Sequence, residues 1–182
     1  MRDDYVGQQL TKLYADELSD ADFICHFDSD CVVARPLSPP DLFADGKPVL
    51  WMTAFEELSP ISGRRQGVQR LLGVDVPFDF MRRLPIVFPR WLYAALRRHV
   101  AESRGGDFRA IACALEPGEL SEFNTLAAFA YLHHRDAFQW RVVRATETDA
   151  GLCRVYWSRG GLSPSIEREI TTLLGTAALP PR

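Results

Sequence analysis

Two hydrophobic periods alternate along the 182-residue chain, and this alternation predicts a single α/β domain spanning residues 1–182. Helical spacing marks stretches near 5–18, 90–103 and 121–134, whereas mainly apolar runs of strand length occur at 22–27, 31–34 and 49–53. A hydrophobic fraction of 47% beside 25% charged residues is that of an ordinary globular domain with one sizeable core, and it excludes disordered and fibrous classes.

Residues 5–18 place Val6, Leu10, Leu13, Tyr14 and Leu18 on one stripe and Gln8, Gln9, Lys12 and Asp16 on a polar face, the pattern of an amphipathic helix broken by the Ser/Asp run that follows. A strand at 22–27 ends where Asp28 to Asp30 begin, and a second at 31–34 is stopped by Arg35-Pro36. The proline- and glycine-punctuated run 36–48 reads as loop with at most one helical turn, and 49–53 as a buried strand. From Pro60 to Pro89 the periodicity is mixed, so a short helix near 65–72 is expected, then irregular chain facing substrate. Residues 90–103 set Trp91, Leu92, Ala95, Leu96, His99 and Val100 on one buried stripe, with Gly105-Gly106 as the stop; 107–115 fits neither template. Ser121 reads as the N-cap of a helix to 134 that is apolar on most sides and therefore central to the core. Strands at 138–144 and 152–157 are expected to pair as a hairpin. A last helix runs from Ser163, with Pro164 at its first position, to Gly175, burying Ile166, Ile170, Leu173 and Leu174.

The net charge of −3 points to neither nucleic acid nor a membrane surface. Its distribution is uneven: residues 1–62 hold 4 basic and 12 acidic side chains, and residues 63–109 hold 10 basic and 4 acidic. That juxtaposition suits a metal on one side and an anionic substrate on the other, or simply two solvated faces. The four cysteines form no CxxC pair, so neither zinc nor a disulfide framework is indicated; with no leader-like or membrane-length apolar run, a soluble cytoplasmic protein without a membrane span is expected.

Within "FICHFDSDCVVARPL", residues 23–37, two aspartates interrupt an otherwise apolar run. A buried carboxylate needs a partner, and a cation is the obvious one. In extended backbone Asp28 and Asp30 share one face, so both carboxylates reach one ion, and an all-oxygen set selects Mg²⁺ or Mn²⁺. The plain alternative is a surface turn capped by Asp.

Three blocks, "GQQLTKLYADE", "ADFICHFDSDCVVARPLSPPDLFADGKP" and "LSEFNTLAAFAYLH", resemble a family of bacterial glycosyltransferase-like proteins with a GT-A-type nucleotide-diphospho-sugar transferase fold, over about residues 5–140. The resemblance implies a three-layer α/β/α sandwich with a mixed central sheet, an N-terminal βαβ nucleotide-binding unit missing from this chain, a divalent cation (Mn²⁺ or Mg²⁺) at Asp28 and Asp30, and a nucleotide-sugar donor whose diphosphate lies on the metal. It implies direct coordination by Asp30, and a contact of Asp28 to ribose or through water. Gln9 and Lys12 fall in the first block, where Lys12 reaches a donor phosphate or is an ordinary exposed helix lysine. Glu122, at a helix start, is a general base toward an unidentified acceptor hydroxyl, a ligand for a sugar hydroxyl, or an acid favoured there by the helix dipole alone.

Other side chains carry double readings. His133 or His134 completes the metal shell or complements a helix C-terminus. Arg82, Arg83 and Arg90 clamp an anion or are solvated, and Trp51 and Trp91 stack on a sugar or belong to the core. Two competing functions stay open: a non-catalytic relative acting as a binding module, and a DxD phosphohydrolase with Asp28 as nucleophile, for which the later lysine and acidic pair are missing.

Overall fold

The computed structural model describes residues 2–58, 63–147, 152–156 and 161–176. In chain order these form α1 (Arg2–Leu13), β1 (Phe23–His26), β2 (Cys31–Val33), α2 (Pro39–Leu42), β3 (Phe43–Ala44), β4 (Lys47–Ala54), α3 (Gly63–Leu72), β5 (Phe78–Asp79), β6 (Ile86–Pro89), α4 (Trp91–Arg104), α5 (Phe108–Cys113), α6 (Glu122–His133), β7 (Gln139–Val142), β8 (Cys153–Val155) and α7 (Pro164–Thr176). The fold is mixed α/β with small, mostly antiparallel sheets.

Strand β4 is the hub. Its ends pair antiparallel with β3 and β5, and Val49 to Met52 pair parallel with β7, setting Trp51 opposite Arg141. Alternation along β4 sends Leu50 and Met52 into the core and leaves Val49 and Trp51 half-buried on the other face. Strand β1 pairs antiparallel with β6, His26 against Ile86 and Cys25 against Val87. Strand β2 pairs antiparallel with β8. The β3–β4 hairpin turns through Asp45 and Gly46, with φ 51° and 71°. Two consecutive positive φ values match the right-handed twist of the flanking strands, which is why Asp-Gly stands there.

Helix α6 runs through the core, with Glu122 to Ala130 all buried. Phe123 and Leu126, both 0% exposed, each contribute on the order of 2 kcal/mol of hydrophobic stabilisation. Around α6 pack α1, α3 and α4 together with the inner faces of β4 and β6. Helix α3 comes so close to the segment before α6 that a Cβ on Gly67 would lie 2.0 Å from the Glu119 carbonyl oxygen. Helix α4 presents Leu92, Tyr93, Leu96 and Val100 to the core and stops at Gly105, in the left-handed region at φ 70°.

Several expectations are corrected. The first helix ends at Leu13, before residue 18, because the Arg97 guanidinium takes the Leu13 carbonyl and the Asp16 carboxylate; a short 3₁₀ turn, Ala15–Glu17, follows. The Pro60–Pro89 stretch is not irregular after α3. "IVFP" is a fully buried strand that supplies β1 with its partner, Pro85 preceding it and Pro89 forming its last residue, opposite Phe23; residues 59–62 lie outside those described. Strands β7 and β8 do not form a hairpin: β7 adds to β4 and β8 to β2, pairings that local periodicity cannot encode, and residues 148–151 and 157 of the expected hairpin lie outside those described. The ambiguous 107–115 segment contains α5, capped by Asp107, whose carboxylate accepts from Ala110 N at 3.0 Å. Ser121 is the N-cap residue of α6 as expected, but its side chain makes no capping bond; its hydroxyl donates to Met81 Sδ and accepts from Asn124 Nδ2. Trp91 is 47% exposed, off the buried stripe of α4, and Leu174 in α7 is 59% exposed.

Candidate functional site

The last turn of α1, the end of β1 and the first turn of α6 converge. Lysine suits the C-terminal end of α1 and glutamate the N-terminal end of α6 for the same local reason, the helix dipole. The packing of α1 on α6 turns those two choices into one cluster. Lys12 Nζ donates to Glu122 Oε1 at 2.8 Å and to Asp28 Oδ1 at 2.5 Å. It also stands 4.6 Å from the centre of the Phe123 ring. The three side chains are 17%, 5% and 25% exposed for Lys12, Glu122 and Asp28, so the cluster is largely closed with its opening at Asp28. Burial pushes the Lys12 ammonium toward neutrality, but the Glu122 charge and the hydrogen bonds to both carboxylates outweigh it and hold its pKa above the usual lysine value.

Asp28 to Cys31 form a turn, not the extended segment expected, closed by Cys31 N donating to the Asp28 carbonyl at 3.1 Å. Tyr156 N donates to the Asp30 carbonyl at 2.8 Å, so the turn is pinned on its far side by the chain leaving β8. Among the described residues the Asp30 carboxylate, half-exposed, has no hydrogen bond or ion pair, whereas Asp28 has its cation in Lys12.

Gln9, one turn before Lys12 on α1, is 3% exposed, and its Oε1 has no hydrogen-bond partner. The polar face expected for α1 is therefore largely buried: Gln9 and Lys12 face inward, and Asp16 is 10% exposed in its pair with Arg97.

Sequence reasoning missed His26. Its ring packs among Phe88, Tyr93 and Phe123, and Nε2 is hydrogen-bonded to Tyr93 Oη at 2.5 Å. Burial first, and the Lys12 charge second, lower its pKa to about 4, so a neutral imidazole supports the floor of the cluster. The available signal was its position: His26 lies two residues after Ile24 on the same strand face, and Ile24 packs on the core.

The structure thus brings Lys12, Asp28 and Glu122 together, with Gln9 adjacent on the helix and Asp30 in the same turn as Asp28. It does not bring the histidines there. His133 is at the far end of α6, about 16 Å along the helix from Glu122; its ring stands 4.6 Å from that of His99, and His134 packs on Trp91. Nor do Arg82, Arg83 and Arg90 converge on the cluster: Arg82 donates to the Ala145 carbonyl at 3.4 Å, Arg83 lies over Trp51, and Arg90 is exposed at the end of β6. Among the described residues no group of three or more His, Cys, Asp or Glu is arranged to hold a metal, and no helix is long and apolar enough to cross a membrane.

No curated protein and no solved structure matches the chain. A family model does match, over residues 3–159, which takes in the whole of the Lys12–Asp28–Glu122 cluster; the chain belongs to a family of unknown function, DUF6492.

Proposed function

We propose that this chain binds the diphosphate of a nucleotide-sugar through a divalent cation and transfers the sugar to an acceptor hydroxyl. The observation that carries the reading is a charge imbalance. One ammonium serves two carboxylates, Asp28 and Glu122, a third carboxylate, Asp30, stands in the same turn as Asp28, and the nearby imidazole is held neutral. Such a cluster accommodates a further cation.

The donor set fits Mn²⁺ or Mg²⁺. Both aspartates offer hard oxygens from one turn, and a site poor in protein ligands suits an ion that keeps water and phosphate in its shell. With Asp28 Oδ1 taken by Lys12, the Asp30 carboxylate is the direct ligand and Asp28 orients and neutralises. When bound, the cation would offset the charge that develops on the departing nucleoside diphosphate. Lys12 fixes Asp28 and Glu122 relative to one another; Glu122 is the group for an acceptor or sugar hydroxyl, and the orphan Gln9 Oε1 is an acceptor for a donor hydroxyl. The four-stranded sheet in which β7 adds parallel to β4 while β3 and β5 add antiparallel supports the mixed sheet of a GT-A-like three-layer sandwich, and four cysteines outside any disulfide accord with a cytoplasmic setting.

Thermal melting with Mn²⁺ and UDP, then with other nucleoside diphosphates, tests the reading. A nucleotide at 100 times its dissociation constant should stabilise the fold by about 2.7 kcal/mol, and Asp30→Ala should abolish the gain. No shift with any nucleotide in the wild type sinks it. That outcome leaves a non-catalytic binding module, which the Lys12–Asp28 pair favours because it already supplies Asp28 with a cation.

A further inference from the structure

The histidines that the Lys12 cluster leaves out collect at the other end of α6. His133 is the last residue of that helix, and Phe129 stands one turn before it. Helix α4 faces them with Trp91 and, two turns further along the same stripe, His99. The centre of the His99 ring lies 4.6 Å from that of His133, and both rings lean on Phe129, at 5.2 and 5.0 Å. His134, the next residue, packs instead on Trp91 at 4.7 Å. One imidazole from each helix therefore stands beside the other, half-buried at His99 and exposed at His133.

The helix dipole accounts for one basic residue at the end of α6, but not for a second imidazole set against it from α4. Among the described residues His26 is the one histidine whose ring makes a hydrogen bond, so the nitrogens of His99 and His133 are open to a ligand. Burial, and after it the charges of His99 and His134, lower the His133 pKa below the usual imidazole value, which keeps its lone pair available at neutral pH. Imidazole nitrogens suit Cu²⁺, Ni²⁺ and Zn²⁺, unlike the hard oxygens of the aspartate turn.

The spacing narrows the choice. With metal–nitrogen bonds of about 2.0–2.1 Å an ion lies about 3.2 Å from each ring centre, so two rings on one ion are about 4.5 Å apart at a right angle and about 5.2 Å apart at the tetrahedral angle. The observed 4.6 Å is the right-angled value, that of adjacent positions in a tetragonal shell. The rings are inclined at 50°, and rotation about χ2, a soft torsion for imidazole, turns a nitrogen of each toward a shared point.

We propose that His99 and His133 form a two-imidazole site for a divalent transition-metal ion of the tetragonal kind, Ni²⁺ or Cu²⁺, which clips the end of α6 to α4 and keeps water in its other positions. The site is separate from the aspartate turn and does not rest on the sugar-transfer reading.

Isothermal titration calorimetry of the full, untagged chain with Ni²⁺, in excess Mg²⁺ to fill sites of hard oxygens, tests it. One saturable ion per chain is expected, weakened about ten-fold or more in His99→Gln and in His133→Gln, because even an outer-shell partner is worth roughly 10–100-fold in metal affinity. Binding should persist in His134→Gln and in Asp30→Ala. His133 is exposed, so His133→Gln leaves the core untouched, and it carries the test if His99→Gln does not fold. Melting gives a second readout: Ni²⁺ should raise the midpoint of the wild type and not that of His133→Gln. The proposal is overturned by a wild-type isotherm that does not saturate, or by an affinity unchanged in His133→Gln. A loss confined to one of the two variants marks an adventitious ion only and overturns it too, as does an equal loss in His134→Gln or Asp30→Ala, which would move the ion elsewhere.

Discussion

Two ion clusters hold the same end of α1, each with one cation to two carboxylates, and they differ in how donors and acceptors are matched. Arg97 donates to the Leu13 carbonyl at 2.7 Å, to both oxygens of Asp16 at 2.6 and 2.8 Å and to Glu17 at 3.4 Å, and lies 4.3 Å from the centre of the Tyr14 ring. Planar donors meet planar acceptors and a helix-end carbonyl that would otherwise lack a partner. Lys12 takes one oxygen from each of two carboxylates and leaves an unpartnered amide oxygen one turn away. A matched cluster is a fastening. One that leaves a buried amide oxygen and a neighbouring carboxylate without partners among the described residues, opening at an acidic turn, is where a ligand still has something to add, and the contrast is what separates framework from site in this molecule.

Breaking the fastening should have the largest effect. Arg97→Met keeps much of the packing on Tyr14 but leaves the Asp16 carboxylate, 10% exposed, without its cation and the Leu13 carbonyl without its donor. Removing one partner of a buried pair costs about 3–5 kcal/mol, which for a chain of this size lowers the melting temperature by roughly 6–20 °C. Circular dichroism melts check it. A loss below about 1 kcal/mol, the worth of a surface pair, would show that the cluster is no fastening.

The floor of the Lys12 cluster should declare itself through pH. His26 has a folded pKa of about 4 against an ordinary 6.5, so the unfolded chain binds a proton that the folded chain refuses. The stability from the neutral imidazole is fully present above pH 6.5 and is lost as pH falls from 6.5 toward 4, by about 3 kcal/mol over the whole range. Urea denaturation at pH 7, 6, 5 and 4 measures the slope. His26→Leu should flatten it, and Lys12→Met should shallow it, because the Lys12 charge is the second cause of the depression. An equal slope in His26→Leu would assign the acid loss to other groups.

What the sequence displayed was periodicity. Helices α4 and α6 and strands β1 and β4 stood at nearly their observed bounds because one apolar face, or an apolar circumference, is written into each of them. What it concealed were partners. Nothing within "PIVFP" says that Phe88 will lie against Ile24, and nothing within 138–144 says that the strand joins β4 in parallel rather than folding back on 152–157. Gln9 and Lys12 looked like a solvated face because their burial is imposed by α6, more than 100 residues away in sequence. The acidic pair was legible as a place needing a cation. That the first cation is a lysine, and that the pair sits on a turn, depended on tertiary packing.

The smallest expected effect on stability sharpens the contrast most. Among the described residues the Asp30 carboxylate makes no hydrogen bond or ion pair, and it is the Asp30 carbonyl, which any residue supplies, that receives Tyr156 N. Asp30→Ala should therefore change stability by no more than about 0.5 kcal/mol, as for a surface substitution away from special features. It also removes one negative charge from a neighbourhood that has an excess of them, so a slight gain is as acceptable as a slight loss. If the same variant melts like the wild type without metal yet fails to gain stability from Mn²⁺ and nucleotide, the Asp30 carboxylate serves the ligand and not the fold. A loss of 2 kcal/mol or more in the metal-free chain would instead make Asp30 part of the framework, and the distinction between the Arg97 and Lys12 clusters would collapse.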